Sequence, residues 1–243
     1  MNEFHKQLPR VAILATGGTI AGSSPDPANT SAYAVGSISG DDLVDGLAPL
    51  RDMASLTVEQ VCNEPSSDLD HAQVLALAGR VNQHLADPLV AGVVVTHGTD
   101  TLEETAFFLD LTMRCGGKPV VPVGAMRPAT AWSADGPFNL LQAVALAASP
   151  KAAGRGALLV MNDRIESAYY ATKNATTALD AVRAVEQGSL GMFVGLRPRF
   201  FYSPAVPTGR ARFDVAHLKA LPKVAIVYMH QDQDSEQMDL AIE

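Results

Sequence analysis

The run VVVTHGTDTLEE, Val93 to Glu104, constrains this chain more than any other stretch. Val93 to Val95 are three consecutive β-branched residues, the mark of a strand buried on both faces in a parallel sheet. Gly98 frees the backbone where the chain must turn. Thr101-x-x-Glu104 has the form of a capping box, and Asp100-x-x-Glu103 offers a competing frame one residue earlier. Ala106, Phe107, Leu109, Leu111 and Met113 then supply an apolar helix. A strand, a turn and a helix in this order put Thr99 and Asp100 at the carboxyl end of the strand and at the positive end of the helix dipole. That is where open α/β sheets place ligands. Alone, a Thr-Asp pair before a helix is most simply a cap.

A second strand end of the same kind changes that balance. Val11 to Ile20, VAILATGGTI, is again a buried run that ends in glycines and a threonine. Two strand ends, each presenting a hydroxyl beside free backbone N–H groups, suit acyl transfer. Gly17-Gly18 does not make a dinucleotide loop, because G-x-G-x-x-G and a downstream ribose-binding acid are both missing.

Alternation of strand and helix from 11 to 161 predicts an α/β fold, a mostly parallel sheet with helices on both faces. The strands are expected at Val11 to Thr16, Ala54 to Cys62, Val90 to Thr96, Val120 to Val123 and Leu158 to Met161. Helices are expected at Asp41 to Leu50, at Leu69 to Ala86, at Thr101 to Cys115, and from Ser133-Pro137 to about Ala148. In the second of these, Val74, Leu77, Ala78, Val81 and Leu85 form one stripe, with His71 and His84 as solvated residues outside it. Short β-like runs follow at Met192 to Val194 and Phe200 to Tyr202. Ala21 to Gly40 is polar and nearly free of large apolar residues. A loop this long inside a compact domain is usually functional, so it reads as a mobile lid that delivers Tyr33. Pro204 to Lys223 reads as a surface linker with a possible short helix at Val215 to Leu221. Val224 to Tyr228 then starts a new strand. The tail from Gln231 to Glu243 should be poorly ordered unless something covers it. The expected division is 1–203 as a large domain, 204–223 as linker and 224–243 as the start of a second, smaller α/β domain.

Charge excludes one class of partner. The 243 residues carry a net charge of −8, so no basic field exists to attract nucleic acid. No stretch has the length of a membrane span, and the polar first ten residues lack a secretory h-region. Two cysteines, Cys62 and Cys115, are too few for a disulfide framework and read as buried thiols. Together these favour the cytoplasm. No His/Cys/Glu group has metal-ligand spacing, and neither a metal nor another cofactor is expected.

Three segments carry a family resemblance: ATGGTIAGS (Ala15 to Ser23), THGTDTLEETAFFLDLT (Thr96 to Thr112) and KPVVPVGAMRPATAWSADGPFNL (Lys118 to Leu140). They are similar to the bacterial L-asparaginase family, which includes the related glutaminase-asparaginases, and the match runs from about Val11 to Tyr228. The resemblance implies an L-asparagine amidohydrolase, forming L-aspartate and ammonia without a cofactor, with glutamine as a possible second substrate. It implies Thr19 as nucleophile, partnered by Tyr33 from the lid, whose SAYAVG segment resembles the family's tyrosine-bearing loop. It implies a second set, Thr99, Asp100 and Lys173, the last from ATKNATT (Ala171 to Thr177). For substrate binding it implies Ser66 on the α-carboxylate, Asp100 on the α-ammonium, and Thr99 and the Ala125 backbone near the reacting amide. Ser67 departs from the Gln or Glu usual in the family, which bears on recognition of the amino acid and on Asn against Gln.

The family also implies a homotetramer built from close dimers, in which the small domain of a neighbouring subunit adds an acid and an asparagine to the site. Against that pattern the chain looks truncated, and alone it is expected to have much reduced activity or none. Two alternatives stay open beside the hydrolase. An ammonia-supplying subunit of a tRNA-dependent amidotransferase would have a further amino-terminal domain, and none precedes Val11. A non-catalytic amino-acid-binding or regulatory remnant would bind without turnover.

Overall fold

The computed structural model describes residues 7–114 and 116–242. In chain order, β1 (Arg10–Gly17) leads through a 3-10 turn at Thr19–Ala21 and a long loop to α1 (Gly40–Asp45) and α2 (Pro49–Met53). Next come β2 (Ser55–Glu64), a 3-10 turn at Ser66–Asp68, α3 (His71–Ala86), β3 (Val90–Thr96), α4 (Leu102–Thr112), β4 (Val120–Val123) and α5 (Gly136–Ala147). The rest is β5 (Leu158–Met161), β6 (Arg164–Ser167), β7 (Thr172–Lys173), β8 (Val182–Arg183), β9 (Gly191–Val194), β10 (Arg197–Phe200) and α6 (Glu236–Ile242).

Eight strands form one sheet in the order β10-β9-β6-β5-β4-β3-β1-β2. From β2 to β5 every pair is parallel, and from β5 to β10 every pair is antiparallel. The valines of β3 show why helices cover both faces. Val93 and Val95 pack into a core with Leu77, Val81, Leu102 and Leu109 of α3 and α4. Val94, pointing the other way, joins Leu50, Leu140 and Val144 of α2 and α5. All three valines are fully buried, and each such side chain contributes about 1.5–3 kcal/mol of burial. The order of strands has one functional consequence. The chain steps from β1 outward to β2, then returns to the opposite side of β1 to lay down β3. The carboxyl ends of β1 and β3 therefore flank the point where the winding reverses, and a crevice opens there.

Several local expectations are corrected. Asp41 to Leu50 is two short helices, because the chain breaks at 46–48 and Pro49 restarts it at a position where its missing N–H costs nothing. Asp70, not Leu69, begins α3, through a capping box with Gln73. His84 is not merely solvated: its Nε2 lies 3.2 Å from Glu59, which Arg80 also holds. The β-like run at Met192 to Val194 falls within β9, but the run expected at Phe200 to Tyr202 is displaced to Arg197–Phe200, and the four-residue β6 at 164–167 was not separable from irregular chain by periodicity. No helix forms at 215–221. Instead the segment is tied down upstream, where Arg210 meets the buried Asp110 and Arg212 donates to the Met113 carbonyl. No strand forms at 224–228, where Val224, Ile226 and Tyr228 are exposed and no neighbouring strand completes a ladder. The tail carries the short α6, none of whose described residues is buried. Cys62 is half-buried, and burial, reinforced by Glu64, pushes its thiol up to about 11. Cys115 lies outside the described residues.

Candidate active site at the carboxyl ends of β1 and β3

Two glycines bring the strand ends together. Gly18 has φ +80° and ψ −171°, a backbone region open almost only to glycine. A methyl group there would sit 2.2 Å from the Cα and N of Gly98. Backbone against backbone at this distance leaves Thr19 and Thr99, the next residue on each chain, on the rim of one cleft. That cleft, of about 310 Å³, is lined by Thr19, Tyr33, Thr99, Asp100 and Lys173 together with Thr30, Ser31, Met126, Arg127, Thr176 and Thr177.

Within it the hydroxyls fall into two sets. Thr19 Oγ1 and the Tyr33 hydroxyl are 2.7 Å apart, a strong O–H···O bond. Lys173 Nζ donates to Thr99 Oγ1 at 3.0 Å and to Asp100 Oδ1 at 2.5 Å. Thr19 and Thr99 are 9% and 5% exposed. The lysine side chain is 16% exposed and the aspartate 71%, so the ammonium faces the protein while the carboxylate stays wet. Such a pair contributes little to stability and serves mainly to aim the ammonium at Thr99.

The turn after β3 uses its polar groups differently from the capping pattern in the sequence. Thr101 occupies the N-cap of α4 but makes no cap bond with its side chain. Its hydroxyl donates to the Ser66 carbonyl at 2.8 Å, and its amide donates to Ser66 Oγ at 3.3 Å. In the competing frame, Asp100 is taken by Lys173 Nζ, and Glu103 accepts the backbone N–H of Lys173. Both candidate boxes are thus spent on distant segments, which fixes 66 and 173 against the same turn.

Not every expected residue reaches the cleft. Ser66 is 4% exposed and lines, with Ser67, a neighbouring cavity bounded by α3 and α4. Ser67 Oγ donates to Asp68 at 3.1 Å. Ala125 is fully buried among Ile20, Val123 and Leu140, and the cleft wall beyond it is Met126 and Arg127. Two residues with supporting roles were not singled out by sequence reasoning. Asp135 accepts the amides of Met126 and Arg127, at 2.9 Å each, and so shapes that wall. His97, wholly buried behind Gly98, lies 2.7 Å through Nδ1 from the Gly98 carbonyl and 3.0 Å through Nε2 from Thr105 Oγ1. A carbonyl can only accept, so Nδ1 carries the proton and Thr105 donates to Nε2. Burial holds this imidazole below its ordinary range, against the opposing pull of the Gly98 carbonyl. A neutral ring thereby braces the turn that presents Thr99. Its place in THGTD was the one available signal. Among the described residues no group of three or more His, Cys, Asp or Glu could hold a metal, and no helix is long and apolar enough to cross a membrane.

Comparison with known proteins bears on the family and the fold. The family model described as Asparaginase, N-terminal, matches residues 10–206. A Schizosaccharomyces pombe protein named "Probable L-asparaginase 1" is 49% identical over 228 residues, 94% of this chain and 63% of that protein. "L-asparaginase 2" of Escherichia coli is 47% identical over 222 residues, 91% of this chain and 63% of its own length. The crystal structure of a probable cytoplasmic L-asparaginase from Campylobacter jejuni superposes with a TM-score of 0.90 at 42% identity, covering 96% of this chain and 71% of that one. The chain thus spans less than two thirds of the length of the first of these relatives. Since the matched region runs from β1 past β10 and contains every residue of the cleft, this chain belongs to the asparaginase family.

Proposed function

We propose that the protein is an L-asparagine amidohydrolase in which Thr19 is the nucleophile. One observation carries the reading: a single cleft holds a hydroxyl bonded to a tyrosine and, across from it, a second hydroxyl bonded to a lysine that is itself paired with a carboxylate. Thr19 Oγ attacks the side-chain amide carbon, and the Tyr33 oxygen accepts its proton. The tetrahedral oxyanion is held by backbone N–H groups near Gly18 and Thr99. Collapse breaks the C–N bond as Tyr33 passes that proton to the leaving nitrogen, so ammonia departs and an ester remains on Thr19. Lys173 and Thr99 orient the water that hydrolyses it, which releases L-aspartate and regenerates the hydroxyl. Asp100 neutralises the substrate ammonium, while Ser66 acts through the Thr101 turn it holds, Ala125 through the adjoining wall at Met126 and Arg127, and Ser67 from the neighbouring cavity. The names of the relatives agree with this chemistry.

The finer parts rest on the same resemblance. Residues 1–203 form the large domain, 204–223 the linker and 224–243 the start of the smaller one. That division is supported by the sheet's end at Phe200 and by the absence of buried residues at 224–242 among those described. A homotetramer in the cytoplasm is the expected assembly, and glutamine a second substrate. The test is ammonia release from L-asparagine, with L-aspartate binding measured by calorimetry. Thr19→Ala should lower turnover by about 10⁴-fold or more and leave aspartate binding within about threefold. Undiminished turnover in Thr19→Ala overturns the proposal. Binding without turnover in the unsubstituted protein favours a non-catalytic amino-acid-binding role.

A further inference from the structure

The loop that carries Tyr33 is held near its amino-terminal end. Thr130, in the loop between β4 and α5, uses its single hydroxyl twice on one residue. Its Oγ1 accepts from the Ser24 amide at 2.8 Å and donates to the Ser24 carbonyl at 3.0 Å. Two backbone bonds flank this clasp, from Ala129 N–H to the Gly22 carbonyl at 2.8 Å and from Trp132 N–H to the Pro27 carbonyl at 3.0 Å. Ser24 is 7% exposed, although Thr130 lies at the surface. The grip passes onward through the chain. Ser23, next to Ser24, exchanges both backbone bonds with Ala34 at 2.9 Å. Ala34 adjoins Tyr33, whose hydroxyl meets Thr19 at 2.7 Å.

We propose that Thr130 is a positioning residue for Tyr33: its hydroxyl fixes the base of the lid, and the Ser23–Ala34 bridge carries that constraint to the phenol facing Thr19. The inference rests on the role given to Tyr33 above, yet it can be tested without activity. The chain has one tryptophan, Trp132, and its own amide is part of the attachment, with the indole 73% exposed. Its fluorescence anisotropy is therefore a native report on whether the two loops stay joined.

Thr130→Val keeps the shape and removes both hydrogen bonds, whereas Thr130→Ser keeps them. In the Val variant, amide exchange across 22–34 should speed up by about tenfold, Trp132 anisotropy should fall, and the melting temperature should hold within about 2 °C. The Ser variant should match the unsubstituted protein in all three. With L-asparagine, the Val variant should lose about tenfold in kcat and less in KM, because the aim of Tyr33 is disturbed more than the walls of the cleft. Unchanged exchange in Thr130→Val overturns the proposal, and so does a Ser variant as fast as the Val one. If the unsubstituted protein releases no ammonia, the functional reading fails while the exchange measurement still decides the anchor.

Discussion

The two hydroxyls of the cleft are presented by opposite means. Thr99 stands on a short turn between β3 and α4 whose neighbours are almost all committed: Gly98 to the buried His97, Thr101 to Ser66, Asp100 and Glu103 to Lys173. Thr19 follows a strand of equal quality, but its partner arrives on a loop anchored through a few bonds to 129–132. One half of the site is preorganised by the core. The other half is completed by a surface loop held through hydrogen bonds to a neighbouring loop. This division suits an enzyme that must admit a substrate and then exclude water, since rigidity is needed at the reacting atoms and mobility only at the entrance.

Substitutions on the two halves should separate them. Lys173→Met should lower kcat by about 10³-fold with little change in KM, because it removes a charge aimed at Thr99 and leaves the entrance intact. Tyr33→Phe should lower kcat by about 10²-fold and also raise KM, since the proposed proton acceptor and the loop's hydrogen bond to Thr19 are lost together. Steady-state kinetics decide the matter, and a Tyr33→Phe effect confined to KM would reduce the loop to a cover. Gly18→Ala tests what joins the halves. The added methyl meets the Gly98 backbone at 2.2 Å in a conformation that disfavours it, so about 3 kcal/mol or more of stability should be lost in denaturant unfolding. A fully stable Gly18→Ala protein would mean that the strand ends need not touch.

The smallest effect concerns pH. His97 is neutral in the folded protein and held below its ordinary range by burial, while in the unfolded chain it titrates near about 6.5. The unfolded state therefore takes up the proton first as pH falls. The stability linked to this residue is complete above about pH 6.5 and declines below it, by up to about 1.4 kcal/mol per pH unit. Urea unfolding between about pH 7 and 5 should show this slope, and His97→Gln should flatten it. An equal slope in both proteins would assign the acid sensitivity to groups other than His97.

The legible parts of the fold are those where a local rule suffices. β3 could be read because three β-branched residues in a row suit only a strand covered on both faces, and α3 because its stripe repeats at helical spacing. The four-residue β6 could not, and β10 was read a few residues late, since a register so short is set by the neighbouring strand. Val224 to Tyr228 has the composition of a strand, yet composition supplies no partner. In the site, Thr19, Tyr33, Thr99, Asp100 and Lys173 were found through resemblance on top of strand-end logic. Thr101 and Glu104 illustrate the opposite case: the spacing of a capping box was present, and the distant Ser66 carbonyl took the hydroxyl instead.

By itself, then, the order of residues determined the alternating elements, the two glycine-bearing strand ends and the types of side chain available there. These depend on propensities and periodicities that act within a few positions of one another. Only the tertiary structure decided that β3 pairs with β1 on the side away from β2, that Gly18 and Gly98 touch, and that Lys173, 74 residues further along, reaches the Thr99 hydroxyl. Those outcomes depend on how whole layers pack, because partners 74 to 80 residues apart meet only when both faces of the sheet are buried.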